Sequence, residues 1–153
     1  MLKSTYENQV CSIAKSLEIV GERWTLLILR DVFLGVRRFD ELQRGLGVAR
    51  NVLTDRLGRL VEEGILQRVP YQDRPARFEY RLTEKGVDLW PVMIALLQWG
   101  DRHYPAESGP PRVIRHRDCG GEITGHLTCS ACGAELGPRD VVAEPGPGAL
   151  AAA

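Results

Sequence analysis

A mainly helical fold carrying one small two-stranded sheet is what this sequence predicts, on three observations. Four stretches between Gln9 and Glu63 place their apolar residues at helical spacing, with glycines between them. Across residues 65–82 the period drops from 3.6 to 2. A strongly apolar stretch, Glu84 to His103, then returns to helical character, and a short Cys/His segment follows.

The first helix runs from Gln9 to Val20, with Val10, Ile13, Ala14, Leu17 and Val20 on one narrow face; Gly21 ends it. Glu22 to Leu34 forms the second. Leu26-Leu27-Ile28-Leu29 leaves it no polar face at its centre, so it should be buried, and Gly35 closes it. Arg38 to Leu46 is a short third helix with Phe39 and Leu42 inward, followed by the turn Gly45-Leu46-Gly47. Ala49 to Glu63 is the fourth. Leu53, Leu57, Leu60 and Val61 make its apolar stripe, while Asn51, Asp55, Gly58, Arg59 and Glu62 lie opposite and Thr54 and Arg56 lie on the flanks. Two helices joined by a glycine turn, the second with a polar outer face, have the form of a helix-turn-helix.

Residues 65–71 and 77–82 are the strand candidates, joined by Gln72-Asp73-Arg74-Pro75-Ala76. Thr83 is placed to cap the next helix, with Glu84 in its first turn. Helix-turn-helix followed by a hairpin is the order of a winged helix. The last helix carries Val87, Leu89, Trp90, Val92, Met93, Ile94, Leu96, Leu97 and Trp99, too many for one side of a small domain. A second apolar face needs a second surface, and a second copy of the chain supplies one; core packing alone is the other reading of Trp90 and Trp99. Pro91 should kink or split this helix.

Twenty Lys+Arg and twenty Asp+Glu cancel, which excludes a polybasic protein and weighs against a disordered acidic one. The balance is uneven locally: residues 37–81 hold 10 basic and 7 acidic residues, and all ten basics are arginine. Arginine clamps phosphate and base edges bidentately, where lysine is mostly a point charge. No apolar run approaches a membrane span, and the N-terminus has no secretory h-region, so a cytoplasmic chain without membrane contact is expected. In that compartment four cysteines read as metal ligands or reactive thiols rather than as disulfides.

Several stretches within residues 1–104 resemble the HxlR-type branch of the winged-helix transcription regulators, which are MarR-related: residues 11–25 (CSIAKSLEIVGERWT), Leu29-Arg30-Asp31 with Gly35-Val36-Arg37-Arg38-Phe39, Leu53-Thr54-Asp55-Arg56-Leu57, and residues 79–86 (EYRLTEKG). The resemblance implies a homodimeric DNA-binding regulator, often a repressor, dimerising through its first and last helices. Val10, Ile13 and Leu17 on the one and Trp90, Ile94 and Leu97 on the other are then the dimer residues. It also adds weight to a sensing role for Cys11, because some family members sense oxidants or electrophiles at this position. The chain departs from the family pattern at Ser12, often proline, and at Ala49-Arg50, often Ser-Pro.

A recognition helix reads bases mainly through its N-terminal half, which puts Arg50, Asn51, Thr54 and Asp55 near base edges. Asp55 either accepts from cytosine or pairs with Arg59 at i+4. Arg56, Arg59, Arg37 and Arg38 are phosphate candidates, Arg38 alternatively a surface residue at a helix start; the wing arginines Arg68, Arg74, Arg77 and Arg81 would sit beside the duplex, with Arg74 and Arg77 as the contact candidates. The expected partner is double-stranded DNA carrying an inverted repeat with half-sites roughly 34 Å apart. Cys11, near the start of the first helix with Lys15 one turn on, is either a small hydrophobe or a thiol switched by oxidation.

Residues 105–111 (PAESGPP) read as a linker, residues 112–140 as a knuckle-like module, and residues 141–153 as a disordered tail. The module holds His116, Cys119, Cys129 and Cys132, with a glycine after each pair, in the spacing H-x2-C-x9-C-x2-C. One histidine and three cysteines suit a tetrahedral structural Zn2+, and so short a segment cannot bury a core of its own. His126 is an alternative fourth ligand; a metal-free knuckle, a disulfide and disorder stay open. Cys129-x-x-Cys132 lacks the βαβ context of a thioredoxin-like enzyme. No catalytic triad, phosphate loop or carboxylate pair stands out, so a non-enzyme is expected. A ligand-responsive regulator without redox sensing and a protein-binding adaptor are the alternatives.

Overall fold

The structure, a computed structural model, describes residues 5–115, 117–123, 125–126, 129–135, 139 and 144. In chain order the elements are α1 (Ser12–Val20), α2 (Thr25–Phe33), α3 (Phe39–Leu46), α4 (Arg50–Glu62), β1 (Leu66–Asp73), β2 (Ala76–Leu82), α5 (Glu84–Val87) and α6 (Trp90–His103). The chain divides into two compact units, 1–93 and 94–153, the division falling inside α6. No helix among the described residues is long and apolar enough to cross a membrane.

The core of the first unit is built on the α4 stripe. Leu53, Leu57 and Leu60 are almost wholly buried against Ile28, Leu29 and Val32 of α2, Leu42 of α3, Val48, and Ile65 and Leu66 at the start of β1. Val61, expected on the same stripe, sits at its half-buried edge. The uniformly apolar centre of α2 does not make that helix fully buried. Leu27 points outward with 41% of its surface exposed, because α2 has core on one side only. Glu22 to Trp24 form a turn before α2, and Trp24 takes a left-handed conformation at φ 80° to start it. A bulky residue there is strained, and persists where its surroundings hold it; the Trp24 ring is packed on the core.

The hairpin is antiparallel, with Leu66 opposite Leu82 and Arg68 opposite Tyr80. The register shifts between Pro70 and Gln72, leaving Tyr71 as the extra residue of a bulge. The strands run longer than the alternation indicates, so only Arg74 and Pro75 remain as the loop. Tyr80 N–H donates to the Arg37 carbonyl at 2.8 Å, which ties the segment before α3 to β2.

Thr83 caps α5 as expected, its hydroxyl accepting from Gly86 N–H at 3.2 Å. Gly86 lies so close to the strand start that a Cβ there would stand 2.2 Å from the Ile65 carbonyl oxygen. The apolar stretch after Thr83 is split ahead of Pro91, which falls in the first turn of α6, where its missing N–H breaks no helical bond.

In the second unit, Arg115 and Glu122 pair as an isolated bridge and a 3.2 Å ion pair, and Arg115 also donates to the Gly120 carbonyl. Gln98 of α6 donates to the Ile123 carbonyl at 3.1 Å. Of the tail expected to be disordered, 141–153, all but Glu144 lies outside the described residues.

Two glycine substitutions should separate close approach from helix propensity. Gly86→Ala is expected to destabilise the chain by more than about 1 kcal/mol, since backbone must move. Gly58→Ala, mid-helix with open space around it, should stabilise by up to about 1 kcal/mol. Chemical denaturation of the two variants checks both signs.

Candidate nucleic-acid interface

The N-terminal half of α4 presents its polar side chains to solvent. Arg50, Asn51, Thr54 and Asp55 are all exposed, and Ala49 at the N-cap has no side chain able to satisfy the first-turn N–H groups. Arg50 lies over the Phe39 ring at 4.8 Å, with Asp40 3.9 Å away and both charges well solvated. That ion pair is worth little. The Thr54 hydroxyl donates to the Arg50 carbonyl at 2.8 Å and keeps its lone pairs for an outside donor.

The ion pairs on α4 differ from the sequence expectation. Arg59 bonds Glu63 at 2.8 Å, and Asp55 bonds its neighbour Arg56 rather than Arg59. Arg59 and Glu63, the C-cap residue, have the i,i+4 spacing of neighbours on one helix face, whereas Asp55 and Arg56 are adjacent in sequence and do not share a face. Arg56 also donates to Glu22 at 2.9 Å and to the Arg23 carbonyl at 3.2 Å, and only 22% of its side chain is exposed. It is turned toward the α1–α2 turn rather than presented outward like Arg50. Beside it a groove of about 600 Å³ opens between α1 and α4, lined among others by Glu18, Glu22, Asp55 and Glu62.

The remaining arginines flank α4. Arg37, Arg74 and Arg77 are exposed and form no ion pair among the described residues. Arg38 is exposed at the N-cap of α3, its guanidinium 4.5 Å above the Tyr71 ring. Arg68 lies 4.2 Å over Phe78. The aromatic platforms were not foreseen as such: Phe39 was expected only as an inward residue, and Tyr71 and Phe78 were not singled out; Tyr71 reaches its place through the bulge, which strict alternation does not reveal. Glu22 was also missed, because nothing in its local pattern joins it to α4, 34 residues on.

Cys11 is exposed and forms the N-cap of α1. On α1 and just before it, Val10 and Ile13 are 74% and 70% exposed, with Leu17 partly so. On α6 the expected residues are not the outward ones. Ile94 is buried, Leu97 is half-buried, and Trp90 stacks on Phe33 at 5.4 Å. Val92, Leu96 and Trp99 are exposed instead. At 100° per residue, Leu96 and Val92 lie across the helix from Ile94, so an inward Ile94 turns them to solvent.

In the C-terminal segment, Gly133 N–H donates to the Cys129 carbonyl and Cys129 N–H to the Ala134 carbonyl, both at 2.9 Å, closing a turn with Gly133 at φ 73°. The backbone N–H groups of Cys132 and then Ala131 point at the Cys129 sulfur and lower its pKa by favouring the thiolate. Gly120 takes a similar φ of 72° after Cys119. His126 pairs with Glu135 at 3.2 Å. His116 lies outside the described residues, and among those described no three His, Cys, Asp or Glu side chains are gathered as a metal-binding group.

The HxlR-like helix-turn-helix family matches residues 19–108. An HTH-type transcriptional regulator of Mycobacterium tuberculosis, Rv3095, is 53% identical over 137 residues, covering 90% of this chain and 87% of that one. The crystal structure of the transcription factor PA1607 superposes with a TM-score of 0.81 at 34% identity, over 91% of this chain and 97% of the other. The redox regulator HypR in its oxidised form superposes with a TM-score of 0.56 at 30% identity, over 60% and 96%. The winged architecture and these relatives agree: the chain belongs to the HxlR-like helix-turn-helix family of transcriptional regulators, a non-enzymatic class with a DNA-binding fold.

Proposed function

We propose that this regulator acts as a homodimeric repressor that reads a short inverted repeat in double-stranded DNA. The carrying observation is the set of exposed groups on and around the uncapped start of α4. Arg50, Asn51 and Thr54 are offered to base edges, while Arg37, Arg74 and Arg77, without ion-pair partners among the described residues, are offered to phosphates. Dimerisation through α1 is supported by Val10 and Ile13, apolar side chains left largely in water by a single chain. On α6 the same role falls to Val92, Leu96 and Trp99.

Cys11 is the proposed switch. Its thiol is exposed at the end of the helix that carries the dimer face, and HypR, a redox regulator, shares the fold. A peroxide would take two electrons from the Cys11 thiolate, giving a sulfenic acid and hydroxide. The new polar group at the dimer helix would shift the spacing of the two recognition helices. A second reading, control by a small ligand without redox chemistry, draws on the groove between α1 and α4.

We also infer a structural zinc in the C-terminal segment, held by Cys119, Cys129, Cys132 and His116. The closed turn at Cys129–Gly133, with N–H groups directed at sulfur, supports it. One bound zinc per chain by elemental analysis, lost in Cys129→Ser, is the expected result; metal-free protein of unchanged fold contradicts it.

Fluorescence anisotropy with the gene's own upstream DNA, titrated with salt and with hydrogen peroxide, tests the main reading. Arg50→Ala should weaken specific binding by about 1–3 kcal/mol, and Arg74→Ala should reduce the salt slope by about 1. Peroxide should release the DNA from wild type, reversibly with thiol reductant, and leave Cys11→Ser bound. Release of Cys11→Ser as well points to another target, and indifference of wild type points to the ligand-controlled reading.

A further inference from the structure

Arg56 looks at first like one more phosphate contact on α4, but its surroundings give it other work. All three nitrogens of its guanidinium are engaged within the protein: Nε with the Arg23 carbonyl, Nη2 with Glu22, and Nη1 with Asp55. It is the least exposed of the arginines that form ion pairs among the described residues. Two carboxylates and one guanidinium leave that cluster with a formal charge of −1, which repels a phosphate.

The anchor it reaches is stiff. Gly21 N–H donates to the Leu17 carbonyl at 2.8 Å, Thr25 N–H donates to the Glu22 carbonyl at 3.1 Å, and Trp24, three residues after Gly21, is held at φ 80° by the core. The Glu22–Arg23 segment between them therefore has little freedom. By contrast, the leucine stripe of α4 fixes how deep the helix sits but resists roll about its own axis only weakly, since apolar contacts are non-directional. Side chains on a helix reach about 5–6 Å from its axis, so a roll of about 10° displaces them by about 1 Å. A shift of that size spoils bidentate hydrogen bonds to a base edge. A directional, charge-assisted tie one residue off the stripe supplies the missing constraint.

We propose that Arg56 is a positioning residue: it locks the roll of the recognition helix to the turn that ends α1, so that Arg50, Asn51 and Thr54 meet base edges in register. The same tie carries any displacement of α1 to α4. This rests on the DNA-binding reading above and deepens it.

The sign of the Glu22 effect separates positioning from phosphate contact. Removing an acidic residue beside DNA ordinarily tightens binding. If Glu22 acts through Arg56, Glu22→Ala instead weakens it. Full-length wild type, Glu22→Ala, Arg56→Gln, Arg56→Lys and the Glu22→Ala/Arg56→Gln double variant would be measured against the upstream duplex and a scrambled duplex of equal length, across salt. Circular dichroism melts run alongside. Each single variant is expected to lose roughly three- to tenfold in specific affinity, the range of a partly exposed charge-assisted bond. The double variant should lose no more than the worse single one. Binding to the scrambled duplex and the salt slope should stay as in wild type. Arg56→Lys should lose specificity too, because an ammonium cannot span the three acceptors.

The proposal is overturned if Arg56→Gln weakens both duplexes alike and lowers the salt slope by about 1, as loss of one phosphate contact does. It is equally overturned if Glu22→Ala tightens binding, or if Arg56→Lys binds as wild type. Should Arg56→Gln fail to fold, Glu22→Ala and Arg56→Lys decide the matter by the same criteria. A wild type that binds no fragment of its genome sinks the DNA-binding reading itself, and this proposal with it; loss confined to the variants keeps the two failures apart.

Discussion

Burial of one leucine stripe is the constraint on which the first unit depends. Leu53, Leu57 and Leu60 on α4 meet α2, α3 and the start of β1 at a single apolar centre. Each such side chain contributes about 1.5–3 kcal/mol on removal from water. The stripe occupies one side of α4, and that fact has two consequences. It holds α4 against the scaffold, and it turns the rest of the helix surface, with Arg50, Asn51 and Thr54, to solvent. Stability and the exposure of these polar groups thus come from the same periodicity.

The zero net charge conceals two ways of handling arginine. Arg59, Arg81 and Arg115 are neutralised by nearby carboxylates, and Arg56 is shared between two. Arg38 and Arg68 instead lie over aromatic rings, and Arg50 adds the Phe39 ring to its loose, solvated pair with Asp40. A ring face steadies the guanidinium without cancelling its charge. Ordering a free arginine on binding costs up to about 2 kcal/mol of rotamer entropy. A side chain already resting on Tyr71 or Phe39 has met part of that cost before any anion binds. A neutral chain can therefore carry a preorganised basic surface, provided its acids are paired elsewhere.

Apolar exposure on α1 has a similar logic. A helix of nine residues with Ala14 and Val20 inward has little room for more core contact. Ile13 and Leu17 are left outside, and Val10 stands just ahead of the helix. In the same helix Cys11 occupies the N-cap, where a side chain faces water and the first-turn N–H groups. The exposed sulfur and the exposed apolar face are neighbours by construction.

The sequence by itself determined the element order, the α4 stripe, the Thr83 cap, the break ahead of Pro91 and the family. These follow from local periodicity, from single-residue stereochemistry and from contiguous motifs, all readable within a few turns of chain. It also marked Arg50, Asn51, Arg74 and Arg77 as the groups to watch, because exposure on a helix or hairpin follows from phase. What only the tertiary structure decided were contacts between distant segments. Arg56 changed from a flank arginine to a tied one because Glu22 and the Arg23 carbonyl, more than thirty residues earlier, fold beside it. Ile94 turned inward and Leu96 and Trp99 outward, since a helix apolar all round carries no phase from which to choose. Tyr71 came under Arg38 through a bulge that no alternation encodes. Local pattern sets which face of an element is apolar; only packing sets what that face, and the polar groups beside it, will meet.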